Sequence, residues 1–182
     1  YWPTLSADEK TLVITRIVPS DEFMKRIQED FYISQWTGDD WEIMKNAGSP
    51  LNTNDNEGAQ TISGDGRYMI FTACNRQDGE GRCDLYYSNK EGDSWTVPVN
   101  LGKPVNSAYR ETQPSMTPDG RTLYFSSDRP GGKGLHDIWV TFRGDNNLWS
   151  VPENLGDVIN TRGIEMSPFI HPDNQSLYFS SD

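Results

Sequence analysis

Internal repetition limits what this chain can fold into more than any other property of its sequence. Residues 8–15, 65–72, 119–126 and 173–180 align without gaps, and their first residues lie 57, 54 and 54 positions apart. The 54-residue step recurs in other columns: Trp41, Trp95 and Trp149; Asn52, Asn106 and Asn160; Glu57, Glu111 and Glu165. A chain built this way folds as stacked or radially arranged copies of one small unit.

Each unit reads as short antiparallel strands separated by turns. Asp65-Gly66 and Asp119-Gly120 are tight-turn signals, because glycine takes positive φ at little steric cost, and β-rich runs follow both. A first strand, such as Gln113-Pro114-Ser115-Met116, precedes the turn and a second follows it. The third is Asp84-Leu85-Tyr86-Tyr87-Ser88, matched at 30–34 and 137–141. The fourth, outermost and most polar, is predicted at Trp95-Thr96-Val97-Pro98 and Trp149-Ser150-Val151-Pro152, where a proline without an N–H suits a sheet edge.

Four strands per 54 residues without helical periodicity predict an all-β fold, a β-propeller with four-stranded antiparallel blades. Residues 1–182 then form one propeller segment: blade 1 over about 1–57, blade 2 over about 58–111, blade 3 over about 112–165, and the first half of blade 4 over about 166–182. Three and a half blades make an unclosed arc, so the length reads as a piece of a longer propeller. The first unit carries an insertion, since Thr15 to Asp30 spans 15 residues against 12 and 11 in the next two units. Residues 20–27, in that insertion, are the one candidate helix, and residues 20–28 are the natural place for partner specificity because the other units lack them.

Six Trp, eight Tyr and seven Phe mark a globular chain. Apolar runs such as Leu12-Val13-Ile14 fall far short of the ~18 residues of a membrane helix, so no direct membrane span is predicted. Acidic residues outnumber basic ones by 27 to 16, for a net charge of -11. Such a surface repels phosphate backbones and argues against sequence-independent nucleic-acid binding.

Cys74 and Cys83 flank the turn between the second and third strands of blade 2. Mirror positions on a hairpin bring two cysteines within disulfide reach. A disulfide is the expectation, with unlinked thiols of a cytosolic protein as the alternative; no histidine or second cysteine pair nearby suggests a metal. An oxidised pair places the chain in the periplasm or outside the cell.

Glu57, Glu111 and Glu165 precede the innermost strands of successive blades, and innermost strands line a propeller's channel. Together with Arg76 and Arg129, on loops of the same face, they are the candidate ligand or partner face, suited to a cation or a basic ligand. The competing reading is that each carboxylate accepts hydrogen bonds from backbone or arginine groups, because a role repeated in every unit is usually structural. The same choice arises for the Trp41, Trp95 and Trp149 column, which is either a carbohydrate platform or packing between blades. Asp30, Asp84 and Asp137 read as turn or ladder caps.

Catalysis finds little support. His136 lies in a loop, and His171 takes the turn position filled elsewhere by Ser6, Ser63 and Thr117, where a side chain bonds local backbone. No nucleophile elbow, phosphate-cradling glycine loop or metal-ligand spacing is present. A non-enzymatic chain without cofactor or metal is expected.

The run Gln113-Pro114-Ser115-Met116-Thr117-Pro118-Asp119-Gly120-Arg121-Thr122-Leu123-Tyr124-Phe125-Ser126-Ser127-Asp128-Arg129-Pro130-Gly131-Gly132, followed by Asp137-Ile138-Trp139 and Pro152-Glu153-Asn154-Leu155-Gly156, resembles the TolB-type, WD40-like (PD40) propeller repeat of bacterial envelope proteins. The resemblance covers essentially the whole chain. More narrowly, residues 57–63, 71–76 and 83–88 resemble the propeller of PorE-like OmpA-family peptidoglycan-associated proteins of the type IX secretion system. Neither the helical repeats nor the OmpA-like domain of that group is in this sequence, so peptidoglycan binding carries over to no residue here. What the resemblance implies is a periplasmic, outer-membrane-associated scaffold whose partners are envelope proteins of a secretion or peptidoglycan-anchoring complex. A carbohydrate-binding or glycan-active propeller, and the gating propeller of a serine peptidase, are the alternatives.

Overall fold

The computed structural model describes residues 1–6, 8–21 and 26–182. Every regular element among them is a strand, and neighbouring strands within each of four sheets pair antiparallel. The first sheet runs β1 (Thr4–Leu5), β2 (Thr11–Asp21), β3 (Arg26–Gln35), β4 (Lys45–Asn46). The second begins with β5 (Asn56–Ile62), β6 (Tyr68–Cys74) and β7 (Cys83–Glu91); β8 (Ser94–Trp95) pairs the far end of β7 and β9 (Val99–Asn100) its middle. The third is β10 (Glu111–Met116), β11 (Thr122–Ser127), β12 (Asp137–Phe142), β13 (Glu153–Asn154), and the fourth is β14 (Glu165–Ile170) with β15 (Leu177–Ser181).

The turn chemistry is as the sequence suggests. Gly66 and Gly120 sit at φ +70° and +69°, and the same place is held by Glu9 and Asn174 in the outer two units. In blade 2 the Ser63 hydroxyl donates to Asp65 and accepts from the Tyr68 N–H, while the Asp65 carboxylate accepts from the Arg67 N–H, so two short side chains satisfy the turn's backbone.

Period-two alternation sends adjacent side chains of one strand into different cores. Phe71 of β6 packs with Val13, Phe31, Leu51 and Tyr86 between the first and second sheets. Its neighbour Ile70 packs with Leu85, Leu123, Phe125 and Trp139 between the second and third. The sheets therefore stack face to face like blades, and the innermost strands β1, β5, β10 and β14 stand side by side. A second repeated device closes each outer edge: Asn52, Asn106 and Asn160 each accept from the N–H and donate to the carbonyl of one β3, β7 or β12 residue, namely Phe31, Leu85 and Ile138.

Two expectations need correction. The insertion of the first unit lengthens the β2–β3 hairpin, with pairing from Thr11↔Gln35 out to Asp21↔Arg26, so residues 20–21 and 26–27 are strand and not helix; residues 22–25 of that expectation lie outside the described residues. The outermost strand is interrupted: Trp95 and Trp149 pair as expected with Lys90 and Arg143, but pairing stops before Pro98 and Pro152 and resumes beyond them at β9 and β13. Proline cannot donate to a ladder, so pairing to the blade resumes only after it.

Candidate functional site

The innermost strands share an irregularity that shapes the face they present. Pairing to the second strand breaks between Gly58 and Thr61, Thr112 and Ser115, and Met166 and Phe169. At each break a non-glycine residue takes left-handed backbone: Ala59 at φ +49°, Gln113 at +56° and Ser167 at +56°, with Trp2 at +52° in the first unit. These are β-bulges, which turn side chains aside at the cost of roughly 1–3 kcal/mol of backbone strain each. Bonds from the neighbouring blade offset that cost. The Ala59 and Gln113 N–H groups donate to Thr15 Oγ1 and Thr72 Oγ1 at 3.2 and 3.0 Å, and the Ser167 N–H donates to Gln113 Oε1 at 2.7 Å.

On the turn side of this belt lies a cavity of about 660 Å³, walled by Leu12, Gln60, Ile62, Met116, Phe169 and prolines of the innermost strands. On the loop side lies a smaller one of about 190 Å³, and Trp2, Ala59 and Gln113 border both. The larger wall is mostly apolar with a few amide and hydroxyl groups, chemistry that binds and orients. Gln60 is already committed: its amide donates to the Trp2 and Val13 carbonyls and accepts from Thr15.

The glutamates are part of the innermost strands, and the protein interior holds them: Glu57, Glu111 and Glu165 are all 0% exposed. Glu57 accepts from the Thr53 N–H and hydroxyl and pairs with Arg76 at 2.9 Å. Glu111 repeats this with Ser107 and Arg129, also at 2.9 Å. Glu165 accepts from Thr161 in the same way and from the Ser181 hydroxyl at 2.8 Å. The arginines are mostly enclosed, with Arg76 against the Tyr86 ring at 4.7 Å and Arg129 between Phe125 and Trp139 at 5.0 and 5.3 Å. The five residues proposed as a ligand face from sequence thus come together as two buried ion pairs and one hydroxyl-bonded carboxylate, facing each other and not the channel.

Burial sets their electrostatics. It pushes the Glu57 carboxyl up, against the opposing hydrogen bonds of Thr53 and Arg76. For Glu165 the bonds from Thr161 and Ser181 outweigh desolvation and hold the carboxyl below its usual range. Asp84, capping the Gly81 N–H, is pushed up to about 6, chiefly by burial and further by the charge of Glu111.

Cys74 and Cys83 are joined in a disulfide with Cα atoms 4.0 Å apart, across the mouth of the β6–β7 hairpin. That loop presses on the entry to blade 3 so closely that a Cβ on Gly81 would collide with the Tyr109 carbonyl; Gly134 meets the Gly163 carbonyl in the same way one blade on. The Trp95 and Trp149 rings pack against the first and second cores, while Trp41 stands edge-on to Trp36 at 5.5 Å. Asp30 and Asp137 cap local donors, Asn46 and the Lys133 N–H among them. His171 holds the turn position of Ser6, Ser63 and Thr117 but accepts from the Asp173 N–H at 3.2 Å, and the Ser176 N–H, whose counterparts donate to those hydroxyls, donates to the Asp173 carboxylate instead; the Nδ1 of His136 is buried. No signal in the sequence announces the left-handed belt, because none of its residues is glycine.

No family model matches the chain, and no curated protein matches it in sequence. Solved structures match it in fold. TolB from Acinetobacter baumannii superposes with a TM-score of 0.58 at 18% identity, over 98% of this chain and 37% of its own. The tricorn protease gives 0.59 at 8% identity over 98% and 20%, and Kuenenia stuttgartiensis hydrazine synthase 0.53 at 13% over 99% and 58%. The chain spans less than two thirds of each of these proteins. With its stacked four-stranded sheets and innermost strands side by side, it is built as a partial ring of a TolB-like β-propeller.

Proposed function

We propose that this chain is a non-catalytic binding and scaffolding module of a periplasmic, outer-membrane-associated protein, working in a secretion or cell-wall-anchoring complex whose other members are envelope proteins. The disulfide supports an oxidising compartment, and the sequence resemblance to PD40 propellers of envelope proteins points the same way. The observation that carries the binding role is the β2–β3 hairpin. The repeated glutamates are spent inside the blades, whereas this hairpin extends its ladder through Ile17↔Glu29 and Val18↔Gln28 to Asp21↔Arg26 and leaves Ile17 54% exposed. Rigid blades displaying one long, unrepeated hairpin give a partner a surface no other blade duplicates.

The test replaces residues 18–28 by an Asn-Gly turn, which closes the hairpin directly after Ile17↔Glu29 and removes its outer part. Envelope proteins captured by the unaltered protein are expected to be lost with the trimmed one while the melting temperature holds; unchanged recovery overturns the assignment. A second reading, a propeller that gates a peptidase, draws on the likeness in fold to the tricorn protease. It requires labelling of the parent protein by a serine-hydrolase probe, which the scaffold reading excludes.

A further inference from the structure

The outer cleft between the first and second blades differs from its counterpart between the second and third. In the latter, Tyr68 stacks beside Tyr87 at 5.5 Å, and the Arg143 guanidinium lies 4.8 Å from the Tyr68 ring and 5.9 Å from that of Trp149. Leu101 packs against the same core. The repeat places Thr11, Ile33 and Ala47 where Tyr68, Tyr87 and Leu101 stand, and Lys90 where Arg143 stands, while keeping Trp95 opposite as the equivalent of Trp149. Every change on the blade 1 side removes bulk. A cleft of about 240 Å³ results, with the half-buried Trp95 as one wall.

What was removed is flat and ring-shaped, and what remains on the rim is polar. Trp95 supplies an aromatic wall. Around it stand the Lys90 ammonium, the Asp93 carboxylate, the Ser94 hydroxyl and the Gln35 amide, whose Oε1 accepts from Thr11 at 3.0 Å. A mixture of donors and acceptors at the edge of one aromatic face suits a ring carrying adjacent hydroxyls, each of which both donates and accepts. A plain aromatic ring would leave the charged rim unmatched. The volume holds one such ring. We propose that this cleft is a binding site for a single pyranose unit, stacked on Trp95 and hydrogen-bonded by Lys90, Asp93 and Gln35. The site is remote from the β2–β3 hairpin tip and stands independently of the scaffold role.

The experiment follows the Trp95 indole N–H resonance, assigned with Trp95→Phe, during titration with the methyl glycosides of glucose, galactose and N-acetylglucosamine. Mannitol serves as an open-chain polyol and p-cresol as a flat ring without adjacent hydroxyls. At least one glycoside is expected to shift the signal saturably while mannitol and p-cresol do not. The double variant Thr11→Tyr/Lys90→Arg, which copies the filled cleft, is expected to keep or raise the melting temperature and to weaken that glycoside at least about tenfold, a loss of ~1.4 kcal/mol of binding. Three results overturn the proposal: silence toward all three glycosides, response to p-cresol alone, or glycoside binding that survives in a folded double variant.

Discussion

Blades 2 and 3 tie down the end of the second strand with different chemistry. In blade 2 the last residue of β6 and the first of β7 are Cys74 and Cys83, joined covalently. In blade 3 the residue at the Cys74 position is Asp128, whose carboxylate accepts the Arg110 N–H at 2.7 Å from the start of its own innermost strand; in the fourth sheet Asp182 does the same for Ile164 at 2.6 Å. Just past the mouth both blades return to one solution, an arginine reaching a buried glutamate: Arg76 to Glu57, Arg129 to Glu111. The repeat preserves physical jobs more strictly than residues. A column of like residues therefore marks a shared structural task, and a ligand site is better sought where the columns break.

The comparison can be broken at the buried pair first. Arg129→Ala strips the charge partner from a fully enclosed carboxylate and is expected to destabilise the protein by about 3–5 kcal/mol in urea unfolding. Glu165→Ala, which removes an acceptor bonded only to Thr161 and Ser181 groups, is expected to lose less, about 1–3 kcal/mol. Equal losses would mean that the arginine adds nothing.

The next effect is the disulfide. Cys74 and Cys83 are separated by 9 positions, and freeing so short a loop by Cys74→Ser/Cys83→Ser is expected to lower stability by about 2–3 kcal/mol. Asp128→Ala at the matching position is expected to remove one charge-assisted bond to the innermost strand, about 1.5 kcal/mol. If the noncovalent tie proved the stronger, the ranking of the two strand ends would fail.

The smallest effect separates the two blades by pH. Asp84 carries a folded-state pKa raised to about 6, so its contribution to stability is complete below about 4, the ordinary range of a carboxyl, and is lost as pH rises through 6. Unfolding midpoints measured from pH 4 to pH 7 are expected to fall across that window in the wild type and to flatten in Asp84→Asn. The carboxyl carbon of Asp84 should titrate with a midpoint near 6 by NMR.

Much of this architecture was legible because it rests on local chemistry. Asp-Gly turns, alternating apolar strands and the mirror cysteines each carry their physical reason within a few residues. The outermost strands were placed only in part because Pro98 and Pro152 look like edge-strand residues, yet they lie just outside the pairing. The helix expected over 20–27 rested on the extra residues of the first unit, which the β2–β3 ladder takes up as far as Asp21↔Arg26. The belt of Trp2, Ala59, Gln113 and Ser167 gave no sign, since the bonds that sustain it come from the neighbouring blade. The glutamates were identified as a repeated unit, but only the three-dimensional packing decides between a channel and a blade interior. The open cleft at Trp95 is visible in sequence only once Thr11 is known to stand where Tyr68 does.

The most direct test of whether repeated charges serve architecture is a double-mutant cycle over Glu111 and Arg129, read by urea unfolding of Glu111→Ala, Arg129→Ala and the pair. Buried partners predict that the double variant is more stable than the two single losses summed, by a coupling of about 1–3 kcal/mol. Additivity within about 0.5 kcal/mol would contradict the account and return both residues to the solvent-facing role their spacing first suggested.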